Sequence, residues 1–138
     1  MKTPVKISLI HAVMGLLAFV IFLQTGWHMS TIQVGELHDS QRMIYRAGHI
    51  YFLFSSLLNL SIGVQLQLSP ILWKRYIQYI GSVLLLMSPP LFLYGFYTEA
   101  TAGDIARIFT TLGIFLAFGG TVLHSIVFLV DLIHTNTD

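Results

Sequence analysis

The stretch at residues 7–27, ISLIHAVMGLLAFVIFLQTGW, contains no aspartate, glutamate, lysine or arginine. A helix needs roughly 20 apolar residues to cross a bilayer, and backbone amides in hydrocarbon must bond within their own segment. The stretch therefore predicts a membrane-spanning helix. Three more apolar blocks of sufficient length follow, at residues 44–66, 76–97 and 105–132.

The composition excludes most soluble folds. Of 138 residues, 55% are hydrophobic and 9% are charged, whereas soluble domains carry about 25% charged residues. The segments between the four blocks are short, so consecutive helices should run antiparallel. We therefore predict a single domain over residues 1–138, an all-α integral membrane protein that forms an antiparallel four-helix bundle.

The charge and the cysteine count narrow the possible functions. The formal net charge is +1, so nothing indicates binding to nucleic acid, which needs a basic surface. The lipid bilayer is the partner that the composition implies. The chain has no cysteine, which excludes disulfides, thiolate metal sites and thiol nucleophiles.

The first apolar block follows a basic start and so resembles a secretory signal. Its apolar run is, however, longer than the roughly 7–15 residues of a signal core, and no small-x-small cleavage motif precedes QTGWHMS. We expect this block to remain as an uncleaved first span.

Lysine and arginine near the helix ends predict the orientation, because cytoplasmic segments carry the excess of these residues. The segments on one side of the membrane carry lysine and arginine without acidic residues, whereas the segments on the other side carry both basic and acidic residues. We expect both termini in the cytoplasm, in a bacterial inner membrane. The first side has Lys2, Lys6, Lys74 and Arg75, and the other has Arg42, Arg46 and Arg107.

Four of the six histidines fall within or at the end of these spans. At 1.5 Å per residue, His11 should lie ~6 Å and His124 ~12 Å from the cytoplasmic face. His28 stands at the outer end of the first span, and His49 should lie ~7 Å inside the outer end of the second. The depths predict an inner pair and an outer pair. His38, in the outer loop, and His134, near the C-terminus, should be solvated.

Helical periodicity places small or polar residues beside these histidines. Small residues let helices pack closely, which is their usual role in membranes, but they would also leave room for a flat macrocycle. The polar residues near His49 gather on one face, which should turn inward. The face of His124 contains Thr110, Gly113, Ala117, Gly120 and Asp131, that of His11 contains Gly15, Ala18, Phe22 and Thr25, and that of His49 contains Arg42, Tyr45, Ser56 and Gly63, with Arg46 and Asn59 at its margins.

Paired histidines on neighbouring helices predict haem binding, because haem iron accepts two neutral imidazoles. Helix one of an up-and-down bundle should neighbour helices two and four, which would bring His11 to His124 and His28 to His49. One haem b near each face could then carry electrons at or across the membrane. Electron partners could be a quinone or another membrane protein.

Further details of the sequence refine the haem hypothesis. Arg42 and Arg46 could bind the propionates of an outer haem through their planar guanidinium groups. Without cysteine there is no CxxCH motif for covalent attachment. The expected depth mismatch of ~6 Å is the weakest point of the His11–His124 pair.

Two alternatives remain open on the sequence. The outer loop carries His28, Met29, Glu36, His38 and Asp39, which could gather zinc, copper or nickel and pass it to His49 and Asn59. A plain solvated loop explains the same residues. His28 stands beside Trp27, where aromatic residues are expected at the membrane–water interface. Arg46 could extend its charged group to water.

The second alternative is a non-catalytic accessory or assembly subunit, whose small-residue faces pack against another membrane protein or a second copy. No nucleophile elbow or catalytic carboxylate pair identifies an enzyme.

The third block contains Pro89 and Pro90, which cannot donate backbone hydrogen bonds. We expect a kink there, with Ser88 satisfying the freed carbonyls. The kink could open a cavity against Tyr94 and Tyr97, although membrane helices also carry such prolines for packing alone.

Overall fold

The computed structural model describes residues 4–102 and 107–135, with side chains described over 6–102 and 107–133. Within these ranges the chain forms four α-helices: α1 at Pro4–Thr31, α2 at Asp39–Gln65, α3 at Leu72–Ala102 and α4 at Ile108–Thr135, with a short 3-10 helix at Val34–Glu36. Each α-helix is long and apolar enough to cross a membrane. The predicted all-α antiparallel four-helix membrane bundle is confirmed.

The helices extend beyond most of the predicted spans. Apolar composition marks only the hydrocarbon part of a span, whereas helical hydrogen bonding continues into the polar interface. The start of α2 illustrates this, since the ring of His38 accepts a hydrogen bond from Ser40 N at 3.5 Å and caps the helix. The predicted start of the fourth span, residue 105, lies outside the described residues, and α4 begins at Ile108.

A buried carboxylate from α3 caps the start of α4. Glu99 Oε1 accepts a hydrogen bond from Phe109 N at 2.6 Å, and Oε2 accepts one from the Thr110 hydroxyl at 2.5 Å. The first amides of a helix have no partner within the helix and carry partial positive charge, so an acidic side chain there stabilises the helix end.

The helices associate as two hairpins, α1 with α2 and α3 with α4, joined through α2 and α3. Over the described residues, no Cα atom of α1 lies within 8 Å of one in α4. The expectation that helix one neighbours helix four was therefore wrong at the level of the backbone. Short connections make consecutive helices neighbours, but they do not force the first and last helices together.

Glycine permits the close contact within each hairpin. A Cβ atom on Gly120 would lie 2.6 Å from Gly81 O, and one on Gly63 would lie 2.7 Å from Ala12 N. Real Cβ contacts are not this short, so each crossing depends on a residue without a side chain.

The aromatic core lies in the half of the bundle toward the 3-10 helix. Phe52, Phe92 and Phe96 are almost fully buried there, in a cluster that includes Val34 of the 3-10 helix. Many large apolar side chains on the outside of the helices are exposed, as expected for surfaces that face lipid.

The two prolines lie within α3, which continues from Leu72 to Ala102. Pro89 has no N–H for the carbonyl of Leu85, and the Ser88 hydroxyl donates to that carbonyl at 2.9 Å. The expectation that Ser88 satisfies a freed carbonyl is confirmed. Tyr94 packs its ring on Phe109, with centroids 4.5 Å apart.

Candidate functional site

His11 and His124 meet in the interior of the bundle. Their ring centroids are 6.2 Å apart and the ring planes are 85° apart, and the two residues are 0% and 7% exposed. One ring comes from each hairpin, so the pair bridges the gap that separates the backbones of α1 and α4. The predicted mismatch in depth does not keep the two rings apart.

Asn59 of α2 determines which nitrogen of His11 carries the proton. The Asn59 side-chain N–H donates to Ser55 O at 3.0 Å, so the amide oxygen faces His11, with Oδ1 2.8 Å from Nδ1. An amide oxygen can only accept, and therefore Nδ1 of His11 donates. Nε2 then carries a lone pair.

The lone pair on His11 Nε2 is buried and unused. This atom has no hydrogen-bond partner among the described residues. Leaving a buried polar atom unpaired costs free energy, so such an atom needs an explanation. A neutral imidazole with one nitrogen bonded and the other open is the form that binds metal ions.

His124 is held by the α3–α4 hairpin. Its Nε2 lies 3.2 Å from the Ser82 hydroxyl. Gly81 makes room for the ring, because a Cβ atom there would lie 3.0 Å from His124 Cδ2. The crossing that joins α3 and α4 therefore also positions the second histidine.

Buried polar groups continue from the histidines through α2 to α3. The Ser55 hydroxyl lies 3.4 Å from that of Ser88, and Ser56 donates to Gly15 O at 2.8 Å. The sequence analysis named Asn59 at the margin of the His49 face and as a possible recipient of a metal ion, but not as the partner of His11, and it did not single out Ser55 or Ser82. An amide inside an apolar span was the signal that could have identified Asn59.

The column of small residues beside His124 is filled by α3. A Cβ atom on Gly113 would lie 2.7 Å from a ring carbon of Phe92, and one on Gly120 would contact Gly81 and Leu85. On α1, Gly15 packs in the same way against Leu60. These small residues serve helix packing and do not face open space.

A cavity of about 540 Å³ lies beside His124, between the end of α2 and the α3–α4 hairpin. Its volume falls in the range of small-molecule sites, roughly 300–1,000 Å³. Its wall includes Gln65, Gln78, His124 and Phe128. It therefore lies at the other end of α3 from Tyr94 and Tyr97, where the sequence placed a cavity.

The outer histidines have separate surroundings. His28 lies among aromatic rings, with centroids 5.6 Å from Tyr97 and 6.2 Å from Phe96. His49 stacks on Phe22 at 4.2 Å and places Nδ1 2.9 Å from the Thr25 hydroxyl. Within the described part of the chain, no ring contact joins His28 to His49.

Two of the charged residues near the membrane faces form ion pairs. Arg42 pairs with Asp39 at 2.5 Å, and Arg46 is exposed. Lys74, which is buried, pairs with Asp131 at 2.5 Å.

The metal-handling alternative needs a cluster of ligands. Over residues 6–102 and 107–133, whose side chains the structure describes, no group of three or more histidine, aspartate or glutamate side chains is arranged to hold a metal ion. His38 is exposed, as expected, and the side chain of His134 lies outside the described residues.

The chain matches no protein-family model, no curated protein and no solved structure in comparisons with known proteins. The candidate site therefore has to be interpreted from its own geometry.

Proposed function

We propose that this chain is a small b-type haem protein of the membrane, which carries electrons through iron held by His11 and His124. The observation that carries the proposal is the buried, unpartnered Nε2 of His11, whose ring lies 6.2 Å from that of His124. The two buried rings are therefore close enough together for one metal ion to be held by both His11 and His124.

A two-histidine site favours haem over a bare metal ion. Zinc in proteins takes three or four protein ligands, and the described residues offer no cluster of that size. Haem iron receives four nitrogens from the porphyrin, so two axial imidazoles complete it. With no cysteine in the chain, the haem would be held without covalent attachment.

A macrocycle held by both histidines would have to occupy the gap between the hairpins. The cavity beside His124 opens in this gap, and its wall does not include His11. A macrocycle between the two rings therefore needs the space to extend past His124 toward α1. No described Cα atom of α1 lies within 8 Å of α4, so no tight helix crossing obstructs that extension.

The chain's own residues provide binding and a dry environment. Haem supplies one-electron chemistry through its iron. His11 offers a lone pair whose direction Asn59 fixes. In the other hairpin, the Ser82 hydroxyl of α3 contacts His124 of α4. Because His11 is fully buried, its ligand bond would be protected from water.

These observations support one haem, at His11 and His124, and do not support a second haem at His28 and His49. His28 and His49 each contact their own aromatic neighbours, and Arg42 is paired with Asp39. An outer haem would have to break these contacts, whereas the inner pair already has its rings together and would exchange at most the contact between His124 Nε2 and the Ser82 hydroxyl.

We also propose the location and the partners of this centre. The excess of lysine and arginine without acids beside the start of α1 and the start of α3 favours both termini in the cytoplasm, and we assign the chain to a bacterial inner membrane. His11 and His124 then lie in the cytoplasmic half of the bundle. The electron partner would be a lipid-soluble quinone or another membrane protein.

The test is a reduced-minus-oxidised absorption spectrum of detergent-purified protein expressed with ample haem supply. We expect the Soret and α bands of a low-spin haem b, extractable by acidic acetone. His11→Ala and His124→Ala should each abolish the low-spin spectrum, because each removes one axial ligand.

His38→Ala is the matched control, because His38 is exposed and distant from the inner pair; its spectrum should equal that of the parent. A parent without a Soret band would rule out the proposal and leave the accessory-subunit hypothesis. A band that survives both inner substitutions would move the ligands to His28 and His49.

A further inference from the structure

We propose that Asn59 is a positioning residue that locks His11 in its Nδ1–H tautomer and thereby tunes the electron donation of Nε2. The tautomer lock stands on the hydrogen bonds alone. Its effect on a redox potential rests on the proposed function. Asn59 contacts neither the proposed iron nor His124 and acts only through the ring of His11.

The Asn59 amide has one consistent orientation. Its nitrogen lies 3.0 Å from Ser55 O, a backbone carbonyl that can only accept. A flipped amide would place two acceptors against each other at that position and a donor against the histidine. The orientation with the nitrogen toward Ser55 and the oxygen toward His11 is therefore strongly favoured.

His11 has no alternative way to satisfy Nδ1. The histidine and Asn59 are both 0% exposed, so water does not replace the bond between them. The other tautomer would leave the Asn59 oxygen facing a lone pair at 2.8 Å and would bury an N–H at Nε2 without a partner. Either unpaired polar group costs about 1–3 kcal/mol.

The lock is anchored on two helices. The Ser55 hydroxyl lies 3.5 Å from the Asn59 nitrogen and 3.4 Å from the Ser88 hydroxyl of α3. Ser88 in turn donates to Leu85 O. The nitrogen of the Asn59 amide is therefore held by Ser55, which keeps the amide oxygen directed at His11. Rotation of the His11 ring would break the hydrogen bond between Nδ1 and this oxygen.

An acceptor at Nδ1 increases the basicity of the opposite nitrogen. A hydrogen bond of this kind fixes the ring orientation of a metal-binding histidine and strengthens its donation to the metal. Stronger donation stabilises the more oxidised, more positive state of iron. Asn59 should therefore lower the reduction potential of a haem bound at His11.

The first measurement needs no haem. In the full chain purified without added haem and labelled with ¹⁵N-histidine, NMR shifts of the ring nitrogens report which of them is protonated, and His11→Ala identifies the His11 signals. We expect Nδ1 to be protonated and Nε2 bare in the parent. Asn59→Leu should shift His11 toward the Nε2–H form, which free histidine favours.

Ser56→Ala is the matched control, because it removes another buried hydrogen bond from α2 to α1 without touching His11. Its His11 signals should equal those of the parent. An Nε2–H tautomer in the parent would overturn the proposal, even if Asn59→Leu failed to fold. An unchanged tautomer in Asn59→Leu would overturn it as well.

The second measurement is the midpoint potential of the haem-loaded protein. Asn59→Leu should raise the potential and weaken haem affinity by about 10–100-fold, whereas Ser56→Ala should change neither. A parent that binds no haem would refute the proposed function and leave the tautomer result standing. Equal potentials in the parent and Asn59→Leu would refute the tuning role.

Discussion

At the scale of single residues, His11 and Glu99 bury polar groups inside membrane spans in two different ways. Both carboxylate oxygens of Glu99 accept hydrogen bonds from the start of α4. His11 uses one nitrogen and leaves the other without a partner among the described residues. The fold therefore accounts for both oxygens of Glu99, whereas it accounts for only one nitrogen of His11, and the other is the atom to which we assign a ligand in the proposed function.

Glu99→Ala tests the structural role of that carboxylate. It removes the cap of α4 and leaves amides near Phe109 and Thr110 without their acceptor, so it should destabilise the protein by about 2 kcal/mol. Thermal unfolding in detergent, followed by circular dichroism, should show a lower Tm. Glu36→Ala is the control, because Glu36 is exposed at the last position of the short 3-10 helix; equal losses from both variants would contradict the capping role.

At the scale of helices, glycine spacing serves helix contact. Gly81 of α3 and Gly120 of α4 face each other so closely that Gly120 has no room for a methyl group, and a Cβ atom on Gly81 would lie 3.1 Å from Gly120 O. Gly120 lies about one turn before His124, and Gly81 is adjacent to Ser82, so the packing of α3 on α4 also sets the position of the candidate ligand.

Two adjacent glycines provide a matched test of this crossing. Gly120→Ala should lower the Tm and disturb His124, because its methyl group would lie 2.6 Å from Gly81 O. In Gly119→Ala the nearest atom is Leu84 Cδ1 at 3.7 Å, an ordinary contact. That variant should be neutral or gain up to roughly 1 kcal/mol from helix propensity. Equal Tm values would contradict the inferred crossing.

At the scale of the whole molecule, the bundle is two tight hairpins with a looser junction between them. Each hairpin contributes one histidine to the inner pair, and the cavity of about 540 Å³ opens where the hairpins face each other. A site at such a junction has rigid walls on both sides, while a ligand can be admitted without breaking the packing inside a hairpin.

Reporter fusions test the proposed orientation. Fusions after Arg75 and after Asp138 should report cytoplasm, and a fusion near Thr101 should report the opposite side. The reason is that the segments before α1 and at the start of α3 carry lysine and arginine without acidic residues. A full reversal would place His11 and His124 in the outer half of the membrane. Reversal of only some signals would contradict four spans.

The sequence alone predicted the fold class, and it predicted that His11 and His124 lie toward the same end of the bundle. The apolar blocks around His11 and His124 exceed the length of a bilayer crossing, and hydrocarbon leaves the backbone little choice except a helix. The role of Ser88 also followed from sequence alone, because Pro89 removes a donor at a known distance along the helix.

Only the tertiary structure decided which side chains meet. Periodicity gives the direction in which a residue points from its own helix axis, but not which helix lies opposite. The sequence therefore predicted α1 beside α4, whose backbones do not pack together in the described residues. It also predicted His28 beside His49, and no ring contact joins these two within the part of the chain that the structure describes. The pairing of hairpins at Gly63 and Gly120, and the selection of Asn59 as the partner of His11, depend on how several helices pack at once. The lone pair left on His11 Nε2 follows from that packing, because it exists only when Asn59 occupies the other nitrogen.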